Sequence, residues 1–502
     1  MLAYRVYKVY IGKKHALFDW CDKVTALANN LSNACRFRQR QLLTASGKSD
    51  SELTDNEKEV IQEFLSALGI KGREKIPQNP GYEKLDKVFK TTRNPDYLAE
   101  GLPRQSAQDV LKKTRRDMVS YYGLLKTWKA NGCPEGQMPG LPGYKTKGGH
   151  TSVVISNQDC TIKEGKDGQL VAGLPFAKDT PLKIGNPHGR LKQAEVTPDN
   201  GKYVISFTFE CSLPDPQRSP GPSRIAAIDL GVDNLMAVTN NCGVPCLLYK
   251  GGIVKSINQF YNKRLAAIMQ QEMAKPGCPK NKKGDPRFVP TEGSMELTLH
   301  RNNAIQDFIH KTAKHFIAWC VEKRIDTIVV GVNAGFKQNV ELGHVNNQNF
   351  VQIPFAFLRH CLKYRCQEHG ILYIEQEESY TSQASFPDGD PIPVYGANDG
   401  DAAFSGRRRP AAFRGMYKAG GFRGLYRTAD GTIINSDLNG SANILRKVFP
   451  DAFRNGQMPD FNNLIIIRHP DEEKAASNRR RQKEAYKGMS KSRQKRLKRK
   501  AA

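Results

Sequence analysis

The chain opens on a run, MLAYRVYKVYIGKK, in which apolar and polar positions alternate, so residues 1–10 are expected to form one strand. From about 14 to 130 the spacing lengthens to a helical period. FDWCDKVTALANNLSNACRFRQRQLL, DNEKEVIQEFLSALG and SAQDVLKKTRRDMVSYYGLLKTWKA read as helices, with Asp55 and Ser106 as expected N-caps. CPEGQMPGLPGYKTKGGH, 133–150, is rich in Gly, Pro and Lys and reads as a loop. Residues 151–213 hold short alternating runs such as TSVVIS, LKIG and KYVISFTFEC, the pattern of a small β-domain. That domain is expected to take the N-terminal strand as its own, with the helices as an insertion. SLPDPQRSPGPS is a Pro-rich boundary segment.

The last domain begins at Arg224. RIAAIDL, NLMAVTN and PCLLYKG read as three strands joined by short turns. A long helical stretch over about 254–324 follows, interrupted by KPGCPKNKKGDPRFVP. Then come strand DTIVVG, helix FVQIPFAFLRHCLKYRCQEHG, strand ILYIEQ, a Gly/Arg-rich loop to about 432, and helix DLNGSANILRKVF. Three strands, helix, strand, helix, strand, helix is the order of an RNase H-like fold, within an α+β multi-domain chain.

Composition narrows the class of partner. The 502 residues suffice for two or three domains with a buried core. Lys and Arg outnumber Asp and Glu by 77 to 50, a formal net charge of +27. Basic residues run along the whole chain, which points to a polyanion, nucleic acid first. No stretch of about eighteen apolar residues occurs, and the N-terminus lacks the continuous apolar run of a signal peptide. A soluble cytoplasmic, prokaryotic protein, nucleoid-associated when on DNA and with no membrane partner, is expected. The eleven cysteines are scattered; Cys242/Cys246 and Cys361/Cys366 are the close pairs, and no C-x-x-C occurs. Reduced thiols and no structural zinc are expected. RRRQK and KSRQKRLKRK, within 471–502, read as a disordered basic tail.

Candidate chemistry rests on carboxylates. Asp229 closes RIAAIDL. Such an aspartate is ordinarily a turn residue, but here it ends an apolar strand at the reactive edge of the fold. Asp437, in IINSDLNGSANI, reads as a helix N-cap by itself. Asn439, Gly440, Ser441 and Asn443 after it form a small-residue surface that would let the helix approach the sheet and hold Asp437 near Asp229. Phosphodiester cleavage by two divalent ions, ~4 Å apart, needs more hard oxygen than two aspartates supply. In an RNase H-like sheet the third acid usually ends the fourth strand, where this chain has Gly331. Glu378, just beyond the fifth strand, is the expected replacement. Glu377 and Glu375 compete with it, and Asp388 and Asp390 stand next in line. A charged strand end in solvent is the plainer alternative.

Four segments carry a resemblance to a known family: IAAIDLGVDNL, GFKQNVELGHVNNQNFVQIPF, EESYTSQASF and GTIINSDLNGSANILRK. Over about 224–450 they resemble the RuvC-type nuclease domain of the TnpB transposon-associated family, related to eukaryotic Fanzor proteins and compact type V CRISPR effectors. LPRQSAQDVLKK and MPGLPGYKTKGGHTSVVIS extend the resemblance more weakly upstream. It implies a wedge domain (1–13 and 133–213), a helical recognition domain (14–132), a linker (214–223) and a RuvC domain (224–470). It also implies an RNA-guided DNA endonuclease that pairs a structured guide RNA, non-coding or CRISPR RNA, with double-stranded target DNA beside a short flanking motif. Asp229, Glu378 and Asp437 would hold two Mg²⁺. Fanzor-like members with a displaced glutamate carry it just before the Tyr-Thr-Ser run, which favours Glu378 over Glu377. Many members have a four-cysteine zinc ribbon after that run; here Ser385 stands where the first cysteine falls, and an Arg-rich loop, 387–432, replaces the ribbon.

Candidate nucleic-acid contacts are Lys112, Lys113, Arg115 and Arg116 on one helical arc, Lys145 and Lys147 in the loop, and Arg407, Arg408 and Arg409 with Arg414 and Arg423. The arc is a solvated face or a phosphate-tracking one. The loop arginines, interleaved with Tyr and Phe, grip a DNA strand or form a packed loop tied by Asp399 and Asp401. The alternative to a nuclease is a nuclease-inactive RNA-guided repressor. Two acids in place, Asp229 and Asp437, count against it, and Gly331 keeps it open. A transposase acting directly on DNA ends ranks below both, since no HUH pair or Tyr nucleophile motif is evident.

Overall fold

The computed structural model describes residues 2–471 apart from 135, 166–168, 186–188, 214, 216–222, 282, 334–351, 395, 397–402, 409–411, 414, 415, 418–423, 455 and 456. Arg409, Arg414, Arg423, Asp399, Asp401, most of GFKQNVELGHVNNQNFVQIPF and the basic tail lie outside these residues. The architecture is α+β with several sheets, in two compact units divided at Ser212/Leu213. No described helix is long and apolar enough to cross a membrane.

In the N-terminal unit, β1 (Leu2–Ile11) pairs antiparallel with β7 (Lys202–Ser212) along its whole length, from Leu2 opposite Ser212 to Ile11 opposite Tyr203. With β2 (Val153–Ser156) and β6 (Arg190–Asp199) they form a sheet in the order β1-β7-β6-β2. β3 (Thr161–Glu164), β4 (Leu170–Gly173) and β5 (Leu182–Ile184) make a second, smaller sheet. Between β1 and β2 run α1 (Phe18–Ala45), α2 (Asp55–Leu68), α3 (Tyr82–Thr91) and α4 (Arg104–Ala130). Their apolar faces join the sheets around Ile11, Phe64, Phe89, Phe207 and Phe209.

Two expected caps move. Thr54, not Asp55, caps α2: its hydroxyl accepts the Glu57 N–H while the Glu57 carboxylate accepts the Thr54 N–H at 2.9 Å, a reciprocal capping box. α4 begins after Pro103, whose ring cannot donate and sits where the helix needs no donor. Ser106 lies inside the first turn, buried, and donates to the Val154 carbonyl at 2.7 Å, tying α4 to β2.

The C-terminal unit is built on a six-stranded sheet. It comprises β8 (Ile225–Asp229), β9 (Asn234–Asn240), β10 (Cys246–Lys250), β11 (Thr327–Val332), β12 (Leu372–Glu377) and a strand at Leu464–Ile467 absent from the sequence expectation. Their order is β12-β11-β8-β9-β10 and then Leu464–Ile467. β12, β11 and β8 are parallel, β9 is antiparallel to both its neighbours, and the last strand is parallel to β10. The missed strand has two half-exposed isoleucines, Ile465 and Ile466, so its polarity pattern resembles no alternating run. One face of the sheet packs against α5 (Gly252–Met273), α6 (Glu292–Glu322) and α7 (Phe355–Glu368) through Val254, Phe316, Leu358 and Leu362.

The other face receives α8 (Ser436–Val448). Leu438 packs on Ala237 and Leu248, and Ala442, Ile444 and Leu445 on Ile225, Ala227 and Val329. Between these apolar contacts the helix buries polar side chains that all have partners. Ser441 Oγ donates to the Ala227 carbonyl at 2.8 Å and accepts the Thr239 N–H. Asn439 donates to the Ala384 carbonyl at 2.8 Å and accepts the Phe386 N–H at 2.9 Å. Asn443 donates to the carbonyls of Thr381 and Ala384 at 2.8 and 2.7 Å. The helix thereby pins the run Tyr380–Phe386, an irregular segment whose backbone groups would otherwise go unpaired in the core.

Asn443→Leu keeps the side-chain volume and removes both donors. It is expected to destabilise the C-terminal unit by about 2–3 kcal/mol through an unpaired buried carbonyl. Urea unfolding followed by Trp319 fluorescence, with Trp20 and Trp128 replaced by Phe, checks this.

Candidate active site

Asp229 is the last residue of β8 and its carboxylate lies directly under α8. A Cβ at Gly440 would stand 2.6 Å from Asp229 Oδ2, so only glycine lets the helix pass this close to the acid. Asp437 enters from the first turn of α8. It is not the cap: Asn435 takes that role, its side-chain oxygen accepting the N–H groups of Asp437 and Leu438 at 3.0 and 3.1 Å. The Asp437 carboxylate instead accepts from Asn234 Nδ2 at 2.7 Å and Ser436 Oγ at 3.1 Å.

Glu378 follows β12 by one residue, its N–H donating to the Val332 carbonyl at 3.1 Å. Its carboxylate fills the space above Gly331. A Cβ at that position would meet Glu378 Oε2 at 2.8 Å and Ile444 Cδ1 at 2.5 Å. The glycine at the end of β11 and the glutamate after β12 are therefore one arrangement: the first makes room for the second.

The other candidate acids are occupied elsewhere. Glu375 is held by Arg359 at 3.1 Å and Tyr373 at 3.0 Å. Glu377 accepts Lys447 Nζ at 2.7 Å and the Ser379 N–H at 2.6 Å, which holds it below its ordinary range against the opposing effect of burial. Asp390 is buried and accepts the N–H groups of Ser385 and Ser405 at 2.7 and 3.0 Å. Asp388 accepts the Ser385 hydroxyl and the Ala429 N–H. Ser385 is thus knotted by hydrogen bonds to Asp388 and Asp390.

Glu378 and Asp437 each act on Asp229 by charge. Burial pushes the Asp229 carboxyl well up, and the charges of Glu378 and Asp437 push it further; Arg408 opposes the rise. Glu378 is pushed up to about 7, by burial first and by Glu377 second, with Lys447 opposing. Among the described residues, no three His, Cys, Asp or Glu side chains are gathered closely enough to hold a metal ion as they stand. The donors are all carboxylate oxygens, the hard ligands Mg²⁺ takes, and two of them are acids that burial and like charge keep from ionising easily. A divalent cation fits that donor set.

The basic candidates divide. Arg408, exposed, donates to Ser382 Oγ at 3.0 Å, which sets a loop arginine beside the acids. Arg407 is exposed on the short strand Arg407–Arg408, opposite Arg427. Lys145 and Lys147 are exposed on an extended segment that α1 holds by its backbone. Asn33 both donates to the Lys145 carbonyl, at 3.1 Å, and accepts its N–H, at 2.8 Å; Asn29 donates to the Thr146 carbonyl, and Arg40 to that of Pro142. On α4 the arc is not uniformly free. Arg115 is half-buried, Lys113 donates to Ser152 Oγ at 3.0 Å, and Lys112 sits over the Tyr82 ring and beside Asp109; Arg116 is exposed. Asn234 and Asn435 escaped the sequence reading as site residues, whereas Gly440 was read there as part of the small-residue surface. The first was within reach of it, five residues beyond Asp229 in IDLGVDN.

A pH test follows from Glu378. Its folded pKa lies above the ordinary 4.5, so the folded chain holds the proton more tightly than the unfolded one. That contribution to stability is full below about 4.5 and is lost as pH rises through about 7. Without divalent ions, Glu378→Gln is expected to stabilise the chain by roughly 2 kcal/mol at pH 8 and by little at pH 4. Thermal melts in EDTA at the two pH values read the difference.

Residues 208–336 match the model of the OrfB_IS605 family, described as a probable transposase. The match includes Asp229 and ends before Glu378 and Asp437. No curated protein matches the chain. Among solved structures, the chain is similar to Cas12f1 in a complex with sgRNA and target DNA, at 12% identity over 84% of this chain and 82% of that one, TM-score 0.45. It is also similar to Alicyclobacillus acidoterrestris C2c1 in complex with single-guide RNA, at 9% identity over 84% of this chain and 70% of that one, TM-score 0.36. At TM-scores below 0.5 these likenesses carry no functional conclusion; the family match stands as a similarity to probable transposases over one quarter of the chain.

Proposed function

We propose that this protein is an RNA-guided, Mg²⁺-dependent DNA endonuclease with one RuvC-type site made by Asp229, Glu378 and Asp437. The observation that carries the reading is that Asp229, at the end of β8, feels the charges of two carboxylates from other elements, Glu378 after β12 and Asp437 on α8, while burial raises both Asp229 and Glu378. The partial match to probable transposases, enzymes of DNA, and the excess of 27 positive charges support it.

In this reading Asp229, Glu378 and Asp437 would hold two Mg²⁺, which when bound would supply an activated water and stabilise the charge that develops on the phosphate. Asp229 is rigid because Gly440 closes over it, and Asp437 because Asn234 and Asn435 fix its turn. Glu377 and Lys447 pair beside Glu378 and set its approach. Arg408 supplies a positive charge at the mouth of the site for a phosphate backbone. Lys145 and Lys147, held on α1 with their side chains outward, and Arg116, exposed on α4, supply phosphate contacts in the N-terminal unit. Guide pairing would select the sequence, with the protein reading backbone shape and a short duplex motif beside it. The repressor alternative rests on Gly331 as a lost acid; the Glu378 carboxylate in the space above that glycine favours the nuclease reading over it.

Copurification of one structured RNA, followed by guided cleavage of a matched duplex, tests the reading. Asp229→Ala and Glu378→Gln are expected to reduce cleavage to background and leave gel-shift affinity for target DNA within a few-fold, since affinity comes from phosphates and pairing. Glu377→Gln, an outer partner, is expected to cost only about tenfold. Gly331→Glu will not rescue Glu378→Gln, because Ile444 occupies the place of its Cβ. Cutting at the wild-type rate by Asp229→Ala would sink the site assignment.

A further inference from the structure

Asp437 has a neighbour that the proposed chemistry does not use. Lys250 Nζ donates to Asn234 Oδ1 at 2.7 Å, and Asn234 Nδ2 donates to Asp437 Oδ2 at 2.7 Å. The chain of donors runs one way. A lysine ammonium can only donate, so it claims the amide oxygen, and the amide can then offer only N–H to the carboxylate. Asn234 is almost wholly buried, at 4% exposure, so few other partners can reach it.

The backbone is bent to make this contact. Along β9, Ala237 and Thr239 face α8, while Met236 and Val238 pack into the core on the opposite face. Strict alternation would send Asn234 to that opposite face, away from Asp437. The pairing of β9 with β10 breaks its register between Tyr249 and Lys250: Tyr249 faces Met236, and Lys250 faces Asn234, skipping Leu235. A bulge of this kind re-aims a side chain. The two turns that flank the contact are docked on each other. Gly251 N–H donates to the Asp233 carbonyl at 2.9 Å, and a Cβ at Gly251 would meet the Val232 carbonyl oxygen at 2.3 Å.

We propose that Lys250 is a positioning residue that, by locking the Asn234 carboxamide, holds Asp437 in the orientation that binds a divalent cation. The inference rests on the proposed metal site. Lys250 touches neither the phosphate nor the ion. Its effect has a sign that separates positioning from plain charge. A positive charge near a cation site repels the cation, so removing it through charge alone tightens metal binding. Removing a lock on a ligand weakens it.

The test is Mn²⁺ affinity of the full chain, measured by electron paramagnetic resonance of the free ion, with melting temperature as the folding control. Lys250→Met is expected to weaken Mn²⁺ binding by about tenfold, and Asn234→Ala by as much. In the Asn234→Ala background, Lys250→Met should change nothing further, because its route is already cut. Lys250→Gln, uncharged but still a donor to Asn234 Oδ1, should keep affinity within about threefold of wild type. If Lys250→Met does not fold, Lys250→Gln with and without Asn234→Ala still decides the matter: a small loss that disappears in the Asn234→Ala background supports the relay, and the same loss in both backgrounds, or tighter binding, overturns it. Unchanged or tighter binding by Lys250→Met, or additive losses in the double variant, overturns the relay while Asp229→Ala still abolishes Mn²⁺ binding. If Asp229→Ala binds Mn²⁺ as wild type does, the metal site itself is wrong and the relay falls with it.

Discussion

The C-terminal unit depends on how closely one helix lies on its sheet. α8 presents Asn439, Gly440, Ser441 and Asn443 where a core helix ordinarily presents large apolar side chains. Small residues allow the approach, and the amides and hydroxyl satisfy backbone groups that the approach buries. Without that satisfaction each buried carbonyl would cost about 1–3 kcal/mol, and the segment Tyr380–Phe386 would have no reason to stay. The same approach brings Asp437 to Asp229 and closes Gly440 over the latter. Packing and site are one constraint.

The carboxylates show what such packing costs. Asp229 is set in a half-buried place beside two other acids, and Asp229 and Glu378 resist ionisation. Among the described residues, Arg408 opposes the rise at Asp229 and Lys447 the rise at Glu378, and Lys447 is mainly paired with Glu377. A fold that served stability alone would put apolar side chains there. Strain of this kind is expected at functional sites.

Gly331 and Glu378 illustrate substitution by geometry. β11 and β12 are parallel neighbours with Gly331 opposite Gln376, so a side chain two residues beyond Gln376 lies within reach of the end of β11. In the proposed reading an acid leaves one strand and arrives from the next, which requires that the vacated position have no Cβ. The hydrogen-bonded knot of Ser385 with Asp388 and Asp390 shows polar contacts organising an irregular segment. Both acids were sequence candidates for the site, and both turned out to hold backbone.

Much of this was legible in the chain. The strand and helix order of the C-terminal unit follows from hydrophobic periods, which are local. The alternation of residues 1–10 and of KYVISFTFEC marked two strands, and Asp229 stood out because an apolar strand ended on it. Other features belong to tertiary structure alone. Which of Glu375, Glu377 and Glu378 faces Asp229 depends on where Arg359 and Lys447 lie, 16 residues from Glu375 and 70 from Glu377. The caps of α2 and α8 differ from expectation by one and two positions, since Thr54, Asp55, Asn435 and Asp437 are all good capping residues and only backbone geometry selects among them. Asn234 reaches Asp437 because a register break turns it from the face that alternation assigns. Periodicity in a sequence reports the face a residue prefers; a bulge is set by the strand beside it, and no local pattern carries that information.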